Sequence, residues 1–130
     1  MKKTVFTLLI VFGFFSIFAQ VDREKVLIEV ATGTWCVWCP SVARAVDDLH
    51  ENGDPVAVIE YHNGDSFTNT ASNARNSYYC VSGYPNTQFD GSYQNYGGGS
   101  TGDLYATFLG IVNTRMNMQT PFEIEITGDH

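Results

Sequence analysis

The sequence predicts an α/β domain, and three neighbouring segments carry that prediction. Val26-Leu27-Ile28-Glu29-Val30 is a nearly continuous apolar run, the pattern of a strand buried on both faces of a parallel sheet. Val42, Ala45, Val46 and Leu49 then recur at helical spacing until Asn52-Gly53-Asp54-Pro55 stops the helix. Val56-Ala57-Val58-Ile59-Glu60-Tyr61 reads as a second buried strand. Together the three form a βαβ unit of the length that a right-handed crossover requires.

Further along, His62-Asn63-Gly64-Asp65-Ser66 reads as a loop, and Asn69 to Tyr79 as a polar helix carrying Ala71, Ala74, Tyr78 and Tyr79. The stretch from Val81 to Gly91 contains a turn, a short strand and the Asp90-Gly91 hairpin signal, with a partner strand over Ser92 to Tyr96. Gly97-Gly98-Gly99-Ser100 is read as flexible punctuation. A last helix is expected from about Thr101, with Leu104, Phe108, Ile111 and Val112 as its apolar stripe and Ser100 with Asp103 as a capping-box-like start. Pro121 to Thr127 alternates apolar and acidic residues as a half-buried strand does.

The N-terminus has the organisation of a secretory signal peptide. Lys2 and Lys3 precede an apolar stretch from Val5 to Phe18, and the small Ala19 ends it, so residues 1–19 are expected to be removed. A membrane anchor is the alternative, but the stretch is short and Gln20-Val21-Asp22-Arg23-Glu24 provides no basic stop-transfer flank. No cysteine stands at the cleavage point to take a lipid. Without Lys2 and Lys3, five basic residues face fourteen acidic ones, a formal charge of −9. Arg23, Lys25, Arg44, Arg75 and Arg115 are scattered singly, which excludes the basic face that nucleic acid binding needs. The remaining chain of about 110 residues suits one domain with one core.

Thr34-Trp35-Cys36-Val37-Trp38-Cys39-Pro40 carries the chemistry. It places a Cys-x-x-Cys pair where the first strand gives way to the first helix. Unpaired N–H groups and the positive end of the helix dipole favour a thiolate there, so Cys36 is the expected nucleophile. Cys39, one turn on, is placed to resolve a mixed disulfide formed at Cys36. A passive Cys36–Cys39 disulfide and half of a zinc site are the competing readings. For zinc, the remaining Cys80, His50, His62 and His130 show no second short-spaced pair, so no metal or other cofactor is expected. Export favours the disulfide chemistries, because thiols can be oxidised and reshuffled outside the cytosol. Cys80 is left over, and is expected to be a buried free thiol.

The order strand, Cys-x-x-Cys helix, strand, helix, proline-initiated strand, hairpin strand, helix resembles the thioredoxin fold over roughly Lys25 to Met118. Trp35-Cys36-Val37-Trp38-Cys39 and Tyr84-Pro85 are its most specific elements. The resemblance implies a central mixed sheet flanked by helices, a domain over residues 20–118, and an extra strand or the start of a truncated second domain over 119–130. It also implies that Pro85 is cis and packs against the dithiol and that the Tyr84 backbone pairs with a substrate chain; Trp35 and Trp38, as tryptophans, either rim a substrate site or lie partly buried beside the first strand. Thioredoxins commonly carry an acid in the first strand that relays a proton to the second cysteine. Glu29 is the candidate here, one residue further from the motif than usual, a shift that reverses side-chain direction in a strand.

The leader, the Cys-x-x-Cys-Pro form and the Gly83-Tyr84-Pro85 turn look most like the exported, outer-membrane-protein-28-related branch found in Gram-negative bacteria. Departures from working thioredoxins are the Val37-Trp38 dipeptide and Asn86 in place of a threonine. The function implied is thiol–disulfide exchange on exported protein thiols or disulfides, in the periplasm or at the outer membrane, with no transmembrane segment after cleavage. The alternative implied is a non-catalytic envelope protein of the same fold with a structural disulfide.

Overall fold

A computed structural model describes residues 20–122, 124, 125 and 127, so the signal peptide expected over 1–19 lies outside the described residues. The elements are β1 (Val26–Thr32), α1 (Pro40–Glu51), β2 (Val56–His62), α2 (Thr70–Tyr78), β3 (Asn86–Phe89), β4 (Tyr93–Tyr96) and α3 (Tyr105–Met116). They form an α/β architecture around one mixed sheet of order β2-β1-β3-β4. β1 runs parallel to β2 and antiparallel to β3, and β4 returns antiparallel to β3. No helix among the described residues is long and apolar enough to cross a membrane.

Side chains alternate across β1, and the two faces of the sheet differ in chemistry. Val26, Ile28 and Val30 point to one face, where they join Val42, Ala45, Val46 and Leu49 of α1, Phe89 of β3, and Phe108 and Val112 of α3 in the apolar core. Phe89 and Phe108 meet edge to face at 5.2 Å, an arrangement worth about 0.5–1.5 kcal/mol beyond the area it buries. On the other face lie Glu29 of β1 and Asn86 and Gln88 of β3, all buried and polar. α2 covers that face, and its own buried residues are Ser72 and Asn76.

Local signals account for the helix ends. Pro40 occupies the first turn of α1, where its missing N–H costs nothing. Gly53 leaves the helix at φ +75°, a conformation in which a β-carbon is disfavoured. α2 starts on a reciprocal capping box, with the Asn69 side chain accepting from the Ser72 N–H and the Ser72 hydroxyl oxygen accepting from the Asn69 N–H.

Four sequence expectations change. β2 is an edge strand with Ala57, Ile59 and Glu60 exposed, because α2 and α1 cover it only in part. α3 starts at Tyr105 rather than near Thr101, and Asp103 accepts from the Tyr105 N–H instead of closing a box with Ser100. The cause is tertiary, since Ser100 and Gly102 give their carbonyls to Arg44 of α1. Cys80 is exposed, at φ +51° just after α2, where Val81 N–H reaches back to Asn76 O to close the helix end. The described residues of 121–127 form no strand, and Phe122 and Ile124 are exposed; Glu123 and Ile126 lie outside the described residues.

The β3–β4 turn doubles as a tie. Asp90 accepts from the Leu27 N–H at 3.0 Å, from Arg23 at 2.8 Å and from Arg115 at 3.0 Å, joining the start of β1 to the end of α3. All three side chains are largely buried, so the bonds are charge-assisted and poorly screened. Asp90→Ala is therefore expected to lower stability by about 3 kcal/mol, because two largely buried guanidinium charges lose their carboxylate and keep only Met118 O and Ser92 Oγ. Urea denaturation checks this, and a loss below about 1 kcal/mol would reduce the tie to a surface contact.

Candidate active site

The site is built where β1 ends. Gly33 turns the chain, its carbonyl accepts the Cys36 N–H at 2.9 Å, and the Cys36 carbonyl accepts the Cys39 N–H at 3.3 Å. A β-carbon on Gly33 would come within 2.8 Å of Trp35 Nε1 and 3.0 Å of Asn63 O, so glycine is what lets Trp35 fold back. The Trp35 indole donates to Asn63 O at 2.7 Å and meets Tyr84 edge-on at 5.3 Å. Cys36 and Cys39 are joined in a disulfide with their α-carbons 5.5 Å apart. Cys39 is the N-cap of α1, so it borders the helix instead of lying a turn within it.

The donors at the start of α1 are occupied, contrary to expectation. Cys39 O accepts from Val42 and Ala43, and the Ser41 N–H donates to Gly99 O at 3.0 Å. Pro40 has no N–H to offer. A thiolate here meets the dipole of a twelve-residue helix whose own first N–H groups are already taken.

The Tyr84–Pro85 peptide is cis, as the resemblance implies, and Pro85 is buried. Its carbonyl accepts the Gly97 N–H at 3.3 Å. The glycines expected to be loose punctuation instead form a strap across the motif. Gly99 N–H donates to the buried Ser41 hydroxyl at 2.6 Å, and Gly98 lies so close that an added β-carbon would sit 2.8 Å from Pro85 Cγ and still closer to the Trp38 carbonyl oxygen. Sequence reasoning missed Ser41 and Gly98 as site residues; the signal available was the run of three glycines after the hairpin.

Trp35, Val37 and Trp38 remain 52%, 66% and 59% exposed, giving the disulfide an apolar rim. Beside it opens a cleft of about 440 Å³ whose walls include Cys36, Cys39, Ala43, Asp47, Glu60 and His62. A larger depression of about 700 Å³ around Gln20, Asp22 and Met116 to Gln119 contains no thiol or histidine.

Glu29 lies elsewhere. It is 2% exposed and faces α2, on the side of β1 opposite Ile28 and Val30. Arg75 holds it with Nε at 2.6 Å and Nη2 at 2.9 Å, Tyr61 donates at 2.9 Å, and the Tyr79 hydroxyl donates to the other oxygen. Burial pushes its pKa up, but the hydrogen bonds from Arg75, Tyr79 and Tyr61 and the Arg75 charge outweigh burial and hold it below the usual carboxylate value. Burial and the bond to Glu29 push the Tyr79 hydroxyl well up. The one-residue offset has thus turned Glu29 away from the face on which α1 packs, and Arg75, Tyr61 and Tyr79 hold it there in place of a relay to Cys39.

No family model matches the chain, and no curated protein matches it either.

Proposed function

We propose that the chain is an exported thiol–disulfide oxidoreductase of the thioredoxin-like superfamily, in its outer-membrane-protein-28-related branch, acting in the periplasm or at the outer membrane. The observation that carries this reading is the Cys36–Cys39 disulfide at the N-cap of α1, whose two cysteines line a cleft behind the exposed Trp35, Val37 and Trp38. The strand order and the flanking helices support the fold assignment. The leader over 1–19 supports export.

In the reducing direction, Cys36 thiolate attacks one sulfur of a substrate disulfide. That S–S bond breaks, one substrate thiolate leaves, and a mixed disulfide remains on Cys36. Cys39 then attacks Cys36 Sγ, releasing the second substrate thiolate and forming the Cys36–Cys39 bond. Two electrons pass from the dithiol to the substrate, and the oxidising direction runs the same steps backwards. The apolar rim of Trp35, Val37 and Trp38 suits an unfolded or extended polypeptide, which exposes apolar side chains.

Cys39→Ser, placed in a Cys80→Ser background because Cys80 is exposed, is expected to accumulate a stable mixed disulfide with an oxidised peptide through Cys36. Mass spectrometry of the adduct checks this. Equal adduct from Cys36→Ser would refute the assignment of nucleophile and resolver. The competing reading, a static structural disulfide, is favoured by one observation: Cys36 and Cys39 are only 8% and 6% exposed. Resistance of the parent disulfide to dithiothreitol would select it.

A further inference from the structure

With Glu29 turned toward α2, the resolving thiol needs another proton acceptor, and the C-terminal end of the neighbouring edge strand supplies one. The parallel register sets His62 of β2 against Thr32 of β1, just before the Cys-x-x-Cys loop. His62 lines the cleft that Cys36 and Cys39 also line. Its Nδ1 lies 2.7 Å from Asp65 Oδ2, and Asp65 is itself fixed by the Thr34 N–H at 2.8 Å and the Phe67 N–H at 3.0 Å. The Thr34 bond ties the histidine loop directly to the dithiol loop. Phe67 packs on the ring at 5.0 Å.

A carboxylate on Nδ1 selects the tautomer in which that nitrogen carries the proton, leaving Nε2 as the acceptor. Among the described residues Nε2 has no hydrogen-bond partner. An imidazole with an orienting carboxylate thus shares one cleft with the two sulfurs, the set of groups that nucleophilic sites use to activate a thiol. The other charged groups facing this cleft are Glu60 of β2 and Asp47 and Arg44 of α1.

We infer that His62, oriented by Asp65, accepts the Cys39 thiol proton as Cys39 attacks the mixed disulfide on Cys36. This inference rests on the redox reading above. In the step, the Cys39 S–H proton passes to Nε2, directly or through one water, while the Cys39 Sγ–Cys36 Sγ bond forms. The bond from Cys36 to the substrate sulfur breaks, its electron pair leaves on the substrate thiolate, and the imidazolium returns its proton to that thiolate or to solvent.

The test uses the reduced chain with Cys80→Ser and a nitrobenzoate disulfide whose released thiolate is coloured. The first release reports attack by Cys36 and the second reports resolution by Cys39. His62→Gln is expected to lower the ratio of second to first release at least about tenfold near neutral pH. The deficit closes as pH rises past about 8.5, where a thiol ionises without help. Asp65→Asn, which retains the imidazole but loosens it, is expected to give a smaller deficit of the same pH form. A ratio equal to the parent's at every pH overturns the inference, and so does a deficit in His62→Gln that stays constant with pH, since a merely structural role produces that. A first release in the parent no faster than that of an ordinary thiol overturns the underlying redox reading, and this inference with it.

Discussion

Arg75→Met is expected to destabilise the protein by about 3–5 kcal/mol at neutral pH, nearer the lower figure because the Arg75 side chain is itself 36% exposed. The loss comes from Glu29, left 2% exposed with a negative charge and only two tyrosine hydroxyls to hold it. Such a loss is a large fraction of the roughly 5–15 kcal/mol available to a small domain. The sign of the pH dependence makes the expectation sharper. In the parent, the folded-state pKa of Glu29 is depressed, so its contribution is present above the unfolded value and is lost as pH falls through the folded value. Without Arg75, burial dominates and raises that pKa, so acidification neutralises the stranded charge and narrows the gap between variant and parent. Urea denaturation from neutral to mildly acidic pH measures both effects. A gap that widens on acidification would show that Glu29 is not the group responsible.

Gly98→Ala is expected to damage the chemistry far more than the fold. The added β-carbon would run into the Trp38 carbonyl, with Pro85 Cγ at 2.8 Å and Ser41 Oγ at 3.1 Å, and the first of these is backbone that cannot rotate away. Either the strap lifts or the loop between the cysteines shifts. Gly98 itself is exposed, so the cost to stability should stay within the 1–3 kcal/mol typical of overpacking. Thiol exchange depends on placement at the ångström scale, where such a displacement costs about 10²-fold. The rate of disulfide reduction by dithiothreitol, set beside the thermal midpoint, separates the two. Parent-like kinetics would mean that the strap moves without disturbing the cysteines.

The sequence was most legible where pattern and partner are both local. The apolar run of β1, the periodicity of α1 and the glycine that ends it each report a nearest-neighbour preference, and the structure has all three where expected. The Cys-x-x-Cys pair announced its own bond by spacing. Legibility failed where a residue's environment is set from far along the chain. Glu29 and Arg75 are 46 positions apart, so nothing near Glu29 told of the guanidinium that captures it. The late start of α3 reflects the hold of α1 on Ser100 and Gly102, again across more than fifty residues. β2 has the composition of an inner strand and lies at an edge, because strand order is not encoded in one strand's composition. His62 and Asp65 were within local reach, since they are three residues apart, but it takes the parallel register and the Thr34–Asp65 bond to bring them to the dithiol loop.

The unlike faces of the sheet make one small domain answer to two different solvent variables. The layer under α1 and α3 is hydrocarbon, so its cohesion fades with denaturant and with cooling, in proportion to the apolar surface that opening would expose. The layer under α2 is a lattice of Glu29, Arg75, tyrosine hydroxyls and side-chain amides, with little hydrocarbon to expose. Its cohesion answers to protons, because Glu29 must stay ionised to hold Arg75. Acid is therefore expected to loosen α2 from the sheet before the hydrocarbon layer and the cysteine pair it supports, an order that hydrogen exchange of the α2 amides at falling pH would show.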